Sequence, residues 1–279
     1  MRIARVVISV VILFIAGCTE TEVLRSSVIV MGHAGAGFPN YNNRYPTNSE
    51  ESIKQALLMQ QADGVEIDIQ LSADSTIVLY HDKRLESGCN DTGFISAQSW
   101  VQLSKLHRRM SNSIIDESSK LWRLEDLLKF LENHNLDIWL SLNIQNQYEV
   151  KDQFAYNNRF GRALSNTLKN YSGKLKVMVE TSDIPMLKQI RSLSDNNHAR
   201  LFLTQRIDTT TLNDLDGIIS GVVTHYLDET EETMALAKSK QLEVSVYGIK
   251  IRQDIRRALS LNPNYVQTDN IPLMLDYLK

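Results

Sequence analysis

Cysteine is scarce in this sequence, with only Cys18 and Cys89 among 279 residues. Two cysteines exclude a disulfide-rich fold and a metal site built from a cysteine cluster. Proline and glycine are also few, at 5 and 12 residues, which argues against long disordered linkers. The sequence has no run of lysine and arginine, and its formal net charge is only −3. Nucleic acid is therefore not an expected partner.

The apolar stretch nearest the N-terminus, residues 6–15, is broken only by Ser9 and is too short to span a bilayer. Arg2 and Arg5 flank it, as in a signal peptide. The residues Ile15-Ala16-Gly17-Cys18 resemble a bacterial lipobox. This resemblance implies cleavage before Cys18 and a lipid on its thiol and new amino terminus. The alternative is ordinary secretion with Cys18 incidental.

These signals predict three segments. Residues 1–17 are expected to be a lipoprotein signal peptide, residues 18–27 a polar tether, and residues 28–279 one domain. The expected location is the bacterial cell envelope, lipid-anchored on the periplasmic face. Thr19 stands where an aspartate would disfavour outer-membrane sorting, so the outer membrane is the expected site.

From Val28 onward, strand-like and helix-like stretches alternate. The predicted strands are residues 28–31, 64–70 with its hairpin partner 76–80, 137–144, 175–180, 199–203, 217–224, 242–247 and 265–268. Each is followed by a helical pattern or a long loop. This count predicts an α/β fold, a single (β/α)8 TIM barrel, rather than a doubly wound sheet. Residues 86–121 are predicted to form a long loop with one short helix, able to act as a lid over the barrel mouth.

One strand carries an unusual pair of acids. Glu66 and Asp68 share a face, opposite Val65, Ile67 and Ile69. Carboxylates pointing into a barrel need a partner such as a cation. His33 follows the first strand and His81 ends the hairpin, so these four polar groups are expected at one rim. They suit a metal site with acid–base chemistry. A half-exposed strand with solvated acids is the plain alternative.

Three motifs resemble the glycerophosphodiester phosphodiesterase family: Gly32-His33-Ala34-Gly35, Gly64-Val65-Glu66-Ile67-Asp68 and Tyr80-His81-Asp82-Lys83-Arg84-Leu85. Asn48-Ser49, Leu142-Asn143-Ile144 and Thr268-Asp269-Asn270 are weaker echoes. The resemblance implies a (β/α)8 barrel with His33 and His81 as the acid–base pair. It favours His81 as acid and His33 as base, although the two roles can be exchanged. Glu66 and Asp68 would hold a divalent cation, Ca²⁺ or Mg²⁺.

The chain departs from this family at several site positions. The family's arginine after the first histidine is Ala34, where Gly35 would let backbone N–H groups approach an anion. The third metal ligand, a glutamate, falls on Gln145, whose carbonyl oxygen can still bind Ca²⁺. The phosphate-contacting lysine falls on Gln147. Glu149 shares a face with both glutamines and is a candidate substitute ligand.

The implied function is metal-dependent hydrolysis of small-molecule glycerophosphodiesters, or of a related phospholipid headgroup ester. Sphingomyelinase D-like chemistry is a variant with the same layout. A different hypothesis is a catalytically impaired barrel that serves as an envelope binding lipoprotein. The sequence leaves the oligomeric state open. It predicts surface positions for four other histidines: His107, His134, His198 and His225.

Overall fold

A computed structural model describes residues 28–38, 43–110, 115–147, 149–171, 175–193 and 199–279. Its strands, in chain order, are β1 (Ile29–Gly32), β2 (Gly64–Leu71), β3 (Ile77–Leu79), β4 (His107–Arg109), β5 (Ile115–Lys120), β6 (Trp122–Arg123), β7 (Ile138–Ile144), β8 (Leu175–Thr181), β9 (Arg200–Thr204), β10 (Gly221–His225), β11 (Glu243–Ile249) and β12 (Tyr265–Thr268). The signal peptide, Cys18 and the tether lie outside the described residues.

Eight of these strands close into a parallel barrel. The order is β1, β12, β11, β10, β9, β8, β7, β2, and β2 pairs back onto β1. In the registers that matter for the site, Asp68 of β2 pairs with Asn143 of β7, and Asn143 pairs with Glu180 of β8. The predicted (β/α)8 TIM barrel in a single domain is confirmed. Parallel strands place their carboxyl ends at one rim, and barrel enzymes use that rim for their sites.

The helices cover the outside of the barrel. They are α1 (Glu50–Lys54), which continues as a π-helical turn over Gln55–Met59, α2 (Leu85–Gly88), α3 (Trp100–Leu103), α4 (Leu124–Asn133), α5 (Gln153–Lys169), α6 (Ile184–Ser192), α7 (Thr209–Asp214), α8 (Glu231–Ser239), α9 (Arg252–Ser260) and α10 (Ile271–Tyr277). Among the described residues, no helix is both long and apolar enough to cross a membrane.

The prediction of a long loop over residues 86–121 is wrong. This segment contains α2, α3, a 3-10 turn at Ile95–Ala97 and the antiparallel pair β4–β5. It has its own apolar cluster, in which Leu85, Ile95 and Leu103 are fully buried. Polar residues dominate its sequence and its helices and strands are short, so their periodic signal is weak.

The barrel strands separate two apolar regions because successive side chains point to opposite faces. Ile67 and Ile69 of β2 point outward and are buried in the main core under the helices. Inside the barrel, a smaller cluster fills the interior: Met31, Met178, Phe202, Val223 and Tyr265. The interior below the mouth is therefore packed with apolar side chains.

The close approach of β2 and β7 gives a test of this packing. A Cβ at Gly64 would lie 2.1 Å from the backbone oxygen of Trp139, which cannot move without displacing β7. We expect Gly64→Ala to lower the free energy of unfolding by about 3 kcal/mol, the upper part of the overpacking range. Chemical denaturation of the purified protein, followed by circular dichroism, measures this.

Gly161→Ala in α5 is the matched control. Its new Cβ would lie 2.8 Å from the end of the Leu193 side chain and 3.7 Å from Ile190 Cγ1, and no backbone atom is among these contacts. Alanine also favours helix over glycine. We expect a change within about 1 kcal/mol for Gly161→Ala. Equal losses in the two variants would contradict the assigned role of the β2–β7 contact.

Candidate active site

The acid pair of β2 points into the barrel mouth, as its alternation predicts. Glu66 is fully buried and Asp68 is only 1% exposed. Burial of a carboxylate is unfavourable unless hydrogen bonds or charges compensate it. The surrounding residues show how each acid is compensated.

Asp68 is held by side-chain amides. Asn48 donates to Asp68 Oδ2 at 2.8 Å and accepts from the Asp68 backbone N–H at 2.9 Å. Asn143 and Gln145 donate to Asp68 Oδ1 at 3.2 and 2.6 Å. Asn48 reaches this position from the turn before α1, where its φ of +59° is one that asparagine tolerates. Neutral amides thus satisfy both carboxylate oxygens.

Glu66 is compensated on one side only. The backbone N–H of Ala34 donates to Glu66 Oε2 at 2.8 Å, whereas Oε1 is buried with no hydrogen-bond partner in the described residues. Burial, together with the nearby charges of Asp68 and Glu180, raises the pKa of Glu66 well above its ordinary value. An unpartnered buried carboxylate oxygen is an acceptor available to a ligand.

The turn after β1 supports this acid. Gly35 has a φ of +97°, and a Cβ there would lie 2.6 Å from the Ser52 hydroxyl. The Gly35 N–H donates to the Glu66 carbonyl at 3.2 Å. Gly35 therefore lets the turn lie against α1, while its amide is engaged by the chain rather than facing the mouth.

Glu180 is a further buried acid beside this pair. It lies at the level of Asn143 on the next strand and accepts from Ser141 at 2.6 Å. Gln267 of β12 also donates to the same oxygen at 2.8 Å, across the barrel interior. Burial, together with the Asp68 charge, raises the pKa of Glu180 to about 7, although the two hydrogen bonds oppose the shift.

His33 is oriented by a carboxylate from the last barrel strand. Its Nδ1 lies 2.8 Å from Asp269 Oδ1, and its Nε2 lies 3.9 Å from Glu66 Oε2. A carboxylate only accepts, so Nδ1 carries the proton and Nε2 is the basic nitrogen facing Glu66. Burial alone would raise the pKa of Asp269, but His33 and the Lys250 ammonium bring it below its ordinary value.

His81 has a more exposed carboxylate partner. Its Nδ1 lies 3.0 Å from Asp82 Oδ1, and both side chains are about 40% exposed, at 42% and 41%. The hydrogen bond to Asp82 raises the pKa of His81 against the opposing effect of burial. Phe38 lies between the two histidines, with ring centroids 5.0 Å from His33 and 5.7 Å from His81. Both imidazoles therefore border one mouth.

The two glutamines that replace family residues lie close to the acid pair but in different contacts. Gln145 bonds Asp68 directly, whereas Gln147 is 2% exposed and donates to Gln70 Oε1. Gln70 in turn donates to the backbone oxygens of Tyr80 and Asp82, both at 2.9 Å. Gln147 thus braces the strand end that presents His81. Glu149, the candidate substitute ligand, accepts from Ser96 at 2.8 Å instead.

The oxygen atoms near Glu66 and Asp68 suit a hard cation, although the side chains that carry them are not yet arranged around one point. Among the described residues, no group of three or more His, Cys, Asp or Glu side chains is gathered tightly enough to hold a metal. Ca²⁺ and Mg²⁺ prefer oxygen ligands, and an amide can turn its oxygen where its NH2 now points. Glu66 Oε1, Asp68 and the amide oxygen of Gln145 are the fitting donors.

Sequence reasoning missed several residues of this mouth. In the sequence, Asn48, Asn143 and Asp269 appear only within the weaker matches to the family motifs. Glu180 carried no signal beyond its place at a strand end. His225 is partly exposed, and its ring packs on that of Tyr247 with the centroids 5.3 Å apart, beside Gly248. His198 lies outside the described residues.

Fold and site together define a TIM-barrel protein with two carboxylate-paired histidines over buried acids at the carboxyl rim. The model of the glycerophosphoryl diester phosphodiesterase family matches residues 40–273, most of the chain. The protein belongs to that family, as the sequence motifs predicted. It is 28% identical over 134 residues to human glycerophosphodiester phosphodiesterase 1, a match covering 46% of this chain and 38% of that protein.

Solved structures share the fold at low sequence identity. A phosphodiesterase of Oleispira antarctica, in complex with its product sn-glycerol-3-phosphate, has a TM-score of 0.77 at 16% identity, covering 91% of this chain and 97% of that one. A glycerophosphodiester phosphodiesterase of Parabacteroides distasonis has a TM-score of 0.71 at 18% identity, covering 90% and 97%. At such identities the likeness shows the fold alone.

The buried acids predict a pH dependence of stability in protein stripped of metal by EDTA. The folded-state pKa of Glu180, about 7, lies above its ordinary value of 4.5. The contribution of Glu180 to the free energy of unfolding is therefore complete below pH 4.5 and is lost as the pH rises through about 7. We expect Glu180→Gln to reduce the loss of stability between those two pH values. Denaturant midpoints measured across this range test it.

Glu117→Gln, at an exposed carboxylate of β5, is the control and should leave the change of stability with pH as it is in the wild type. A Glu180→Gln protein that keeps the wild-type slope would show that Glu180 does not titrate in this window.

Proposed function

We propose that this protein is a metal-dependent phosphoric diester hydrolase acting on glycerophosphodiesters, or on a related phospholipid headgroup ester. The observation that carries the proposal is the placement of His33 and His81 on either side of Phe38, next to buried Glu66 and Asp68. Family membership supports the reaction class. The product bound by the Oleispira antarctica phosphodiesterase supports the substrate class.

The carboxylate partners favour one assignment of the two histidines. His33 donates Nδ1–H to Asp269, so its Nε2 is free to take a proton as general base. Because Asp82 raises the pKa of His81, that imidazole is protonated at higher pH than an ordinary histidine and suits the general acid. The sequence left these roles exchangeable.

The proposed reaction balances with these two groups. Water, or a neighbouring hydroxyl of the substrate, forms a new P–O bond and loses its proton to His33 Nε2. The bond from phosphorus to the departing alcohol breaks, and the alkoxide takes a proton from His81. Proton exchange with solvent restores both imidazoles. Where a substrate hydroxyl attacks, water then opens the cyclic product.

Glu66, Asp68 and Gln145 would hold the divalent cation, Ca²⁺ or Mg²⁺. When bound there, it would offset negative charge on a non-bridging phosphate oxygen. Gln147 and Gly35 are proposed to contribute to substrate binding indirectly, by holding the strand end before His81 and the turn after His33.

We further propose that the protein is a lipoprotein of the bacterial envelope. Residues 1–17 would be removed as a signal peptide, Cys18 would carry the lipid, and residues 18–27 would tether the barrel to the membrane. Such an anchor would place the mouth close to phospholipid headgroups and their breakdown products, on the periplasmic face and in the outer membrane.

One observation favours a second function, a binding barrel with weak or no catalysis. Gln145 and Gln147 form neutral hydrogen bonds to Asp68 and Gln70, so Asp68 is compensated without a cation and Gln70 has a partner without a lysine. The intact histidine–carboxylate pairs favour the enzyme.

Hydrolysis of glycerophosphocholine and related diesters tests the proposed reaction. We expect turnover with Ca²⁺ or Mg²⁺ and loss of turnover with EDTA. His81→Ala and Glu66→Ala should each reduce the rate at least about a hundredfold, because each removes a group the chemistry requires. Product release is followed by an alcohol-specific assay, with Asp276→Asn, at an exposed residue of α10, as the control.

If the wild-type protein hydrolyses none of these diesters, a double variant that combines Gln145→Glu and Gln147→Lys separates the remaining explanations. Turnover gained in that double variant would support the binding barrel as the present state of the chain. Continued silence with every diester tried would oppose the phosphodiesterase assignment.

The pH profile tests the assignment of the acid. Asp82→Asn removes the charge that raises the pKa of His81, so the imidazole should lose its proton at lower pH. The descending, high-pH limb of kcat/KM should therefore move to lower pH, while the ascending limb stays in place. Movement of the ascending limb alone would instead make His81 the base.

A further inference from the structure

The mouth is rich in acidic side chains. Five lie around it, three of them on the barrel strands β2 and β8: Glu66, Asp68, Asp82, Glu180 and Asp269. The two basic positions of the family motif hold Ala34 and Gln147, neither of which carries charge. An anionic phosphodiester entering this mouth needs positive charge from elsewhere in the chain, in addition to any cation.

Among the ion pairs of the described residues, Lys250 is the lysine that contacts a carboxylate of this site. Its Nζ lies 3.5 Å from Asp269 Oδ2, and the other oxygen of the same carboxylate lies 2.8 Å from His33 Nδ1. One carboxylate therefore links the lysine to the imidazole. Since 3.5 Å is longer than an ordinary charge-assisted hydrogen bond, the ammonium keeps donor capacity for a stronger acceptor.

The backbone holds Lys250 at this edge. The β11–β12 register shifts between Val246 and Ile249, and Gly248 takes a φ of +92°. The Asp254 carboxylate then accepts from the N–H groups of Lys250 and Ile251, at 2.9 and 3.0 Å. The lysine side chain is 65% exposed at the rim.

We propose that Lys250 is a phosphate-binding residue that supplies the positive charge absent from positions 34 and 147. The inference rests on the proposed function for the identity of the substrate. The Nζ atom turns from Asp269 toward a non-bridging oxygen of the bound phosphate and donates to it. Asp269 keeps its hydrogen bond to His33, so the histidine stays oriented when the lysine turns.

Anion binding by the full-length protein tests this directly. The probes are sn-glycerol 3-phosphate and inorganic phosphate, titrated calorimetrically with Mg²⁺ and again with EDTA. We expect Lys250→Gln to weaken the binding of both about tenfold and to raise KM for a diester similarly, with kcat and its pH profile little changed. Lys250→Arg should stay within about threefold of wild type, because it keeps the charge.

Lys83→Gln is the matched control, since Lys83 is an exposed lysine next to Asp82 on the same rim. It should bind both probes like the wild type. Equal losses in Lys250→Gln and Lys83→Gln would indicate general electrostatic attraction and overturn the proposal. Unchanged anion binding in Lys250→Gln, with a shifted pH profile, would also overturn it and leave Lys250 a structural partner of Asp269.

This test separates the two proposals. If the wild-type protein hydrolyses no diester but binds phosphate through Lys250, the phosphate site stands and the proposed reaction fails. If the protein turns over diesters while Lys250→Gln binds and reacts as wild type, the reaction stands and the role of Lys250 fails. No binding of either probe to the wild-type protein would overturn the phosphate site as well.

Discussion

Burial of two carboxylates on one strand is the constraint on which this site depends. The period of β2 places Glu66 and Asp68 in the barrel, where water cannot solvate their charge. Hydrogen-bond donors from several elements satisfy these acids: the Ala34 N–H from the turn after β1, the Asn48 amide from the turn before α1 and the Asn143 amide from β7. The elements around the mouth are thus fixed relative to each other by the acids they satisfy.

Glutamine at position 145 affects the electrostatics of the acid pair. A glutamine can donate as well as accept, so Gln145 satisfies an oxygen of Asp68 by a hydrogen bond where a glutamate would repel it. The unpartnered oxygen of Glu66 and the raised pKa of Glu180 show that the compensation is incomplete.

The two histidines differ through their partners. Asp269 is nearly buried, and Lys250 lies near its Oδ2 atom, the oxygen that His33 does not contact. Asp82 is 41% exposed beside His81. The same kind of pair thus sits in two environments, one fixed by the last barrel strand and one near solvent.

Local periodicity and strand order were enough to predict the barrel, the inward direction of Glu66 and Asp68, and the placement of His33 and His81 after strands. Most elements within residues 86–121 were not predicted, because such short elements leave little periodic signal. Only the tertiary structure brought Asn48, Glu180, Lys250 and Asp269 to the mouth. Their partners are distant in sequence, and closure of the barrel, which no local pattern records, sets those distances.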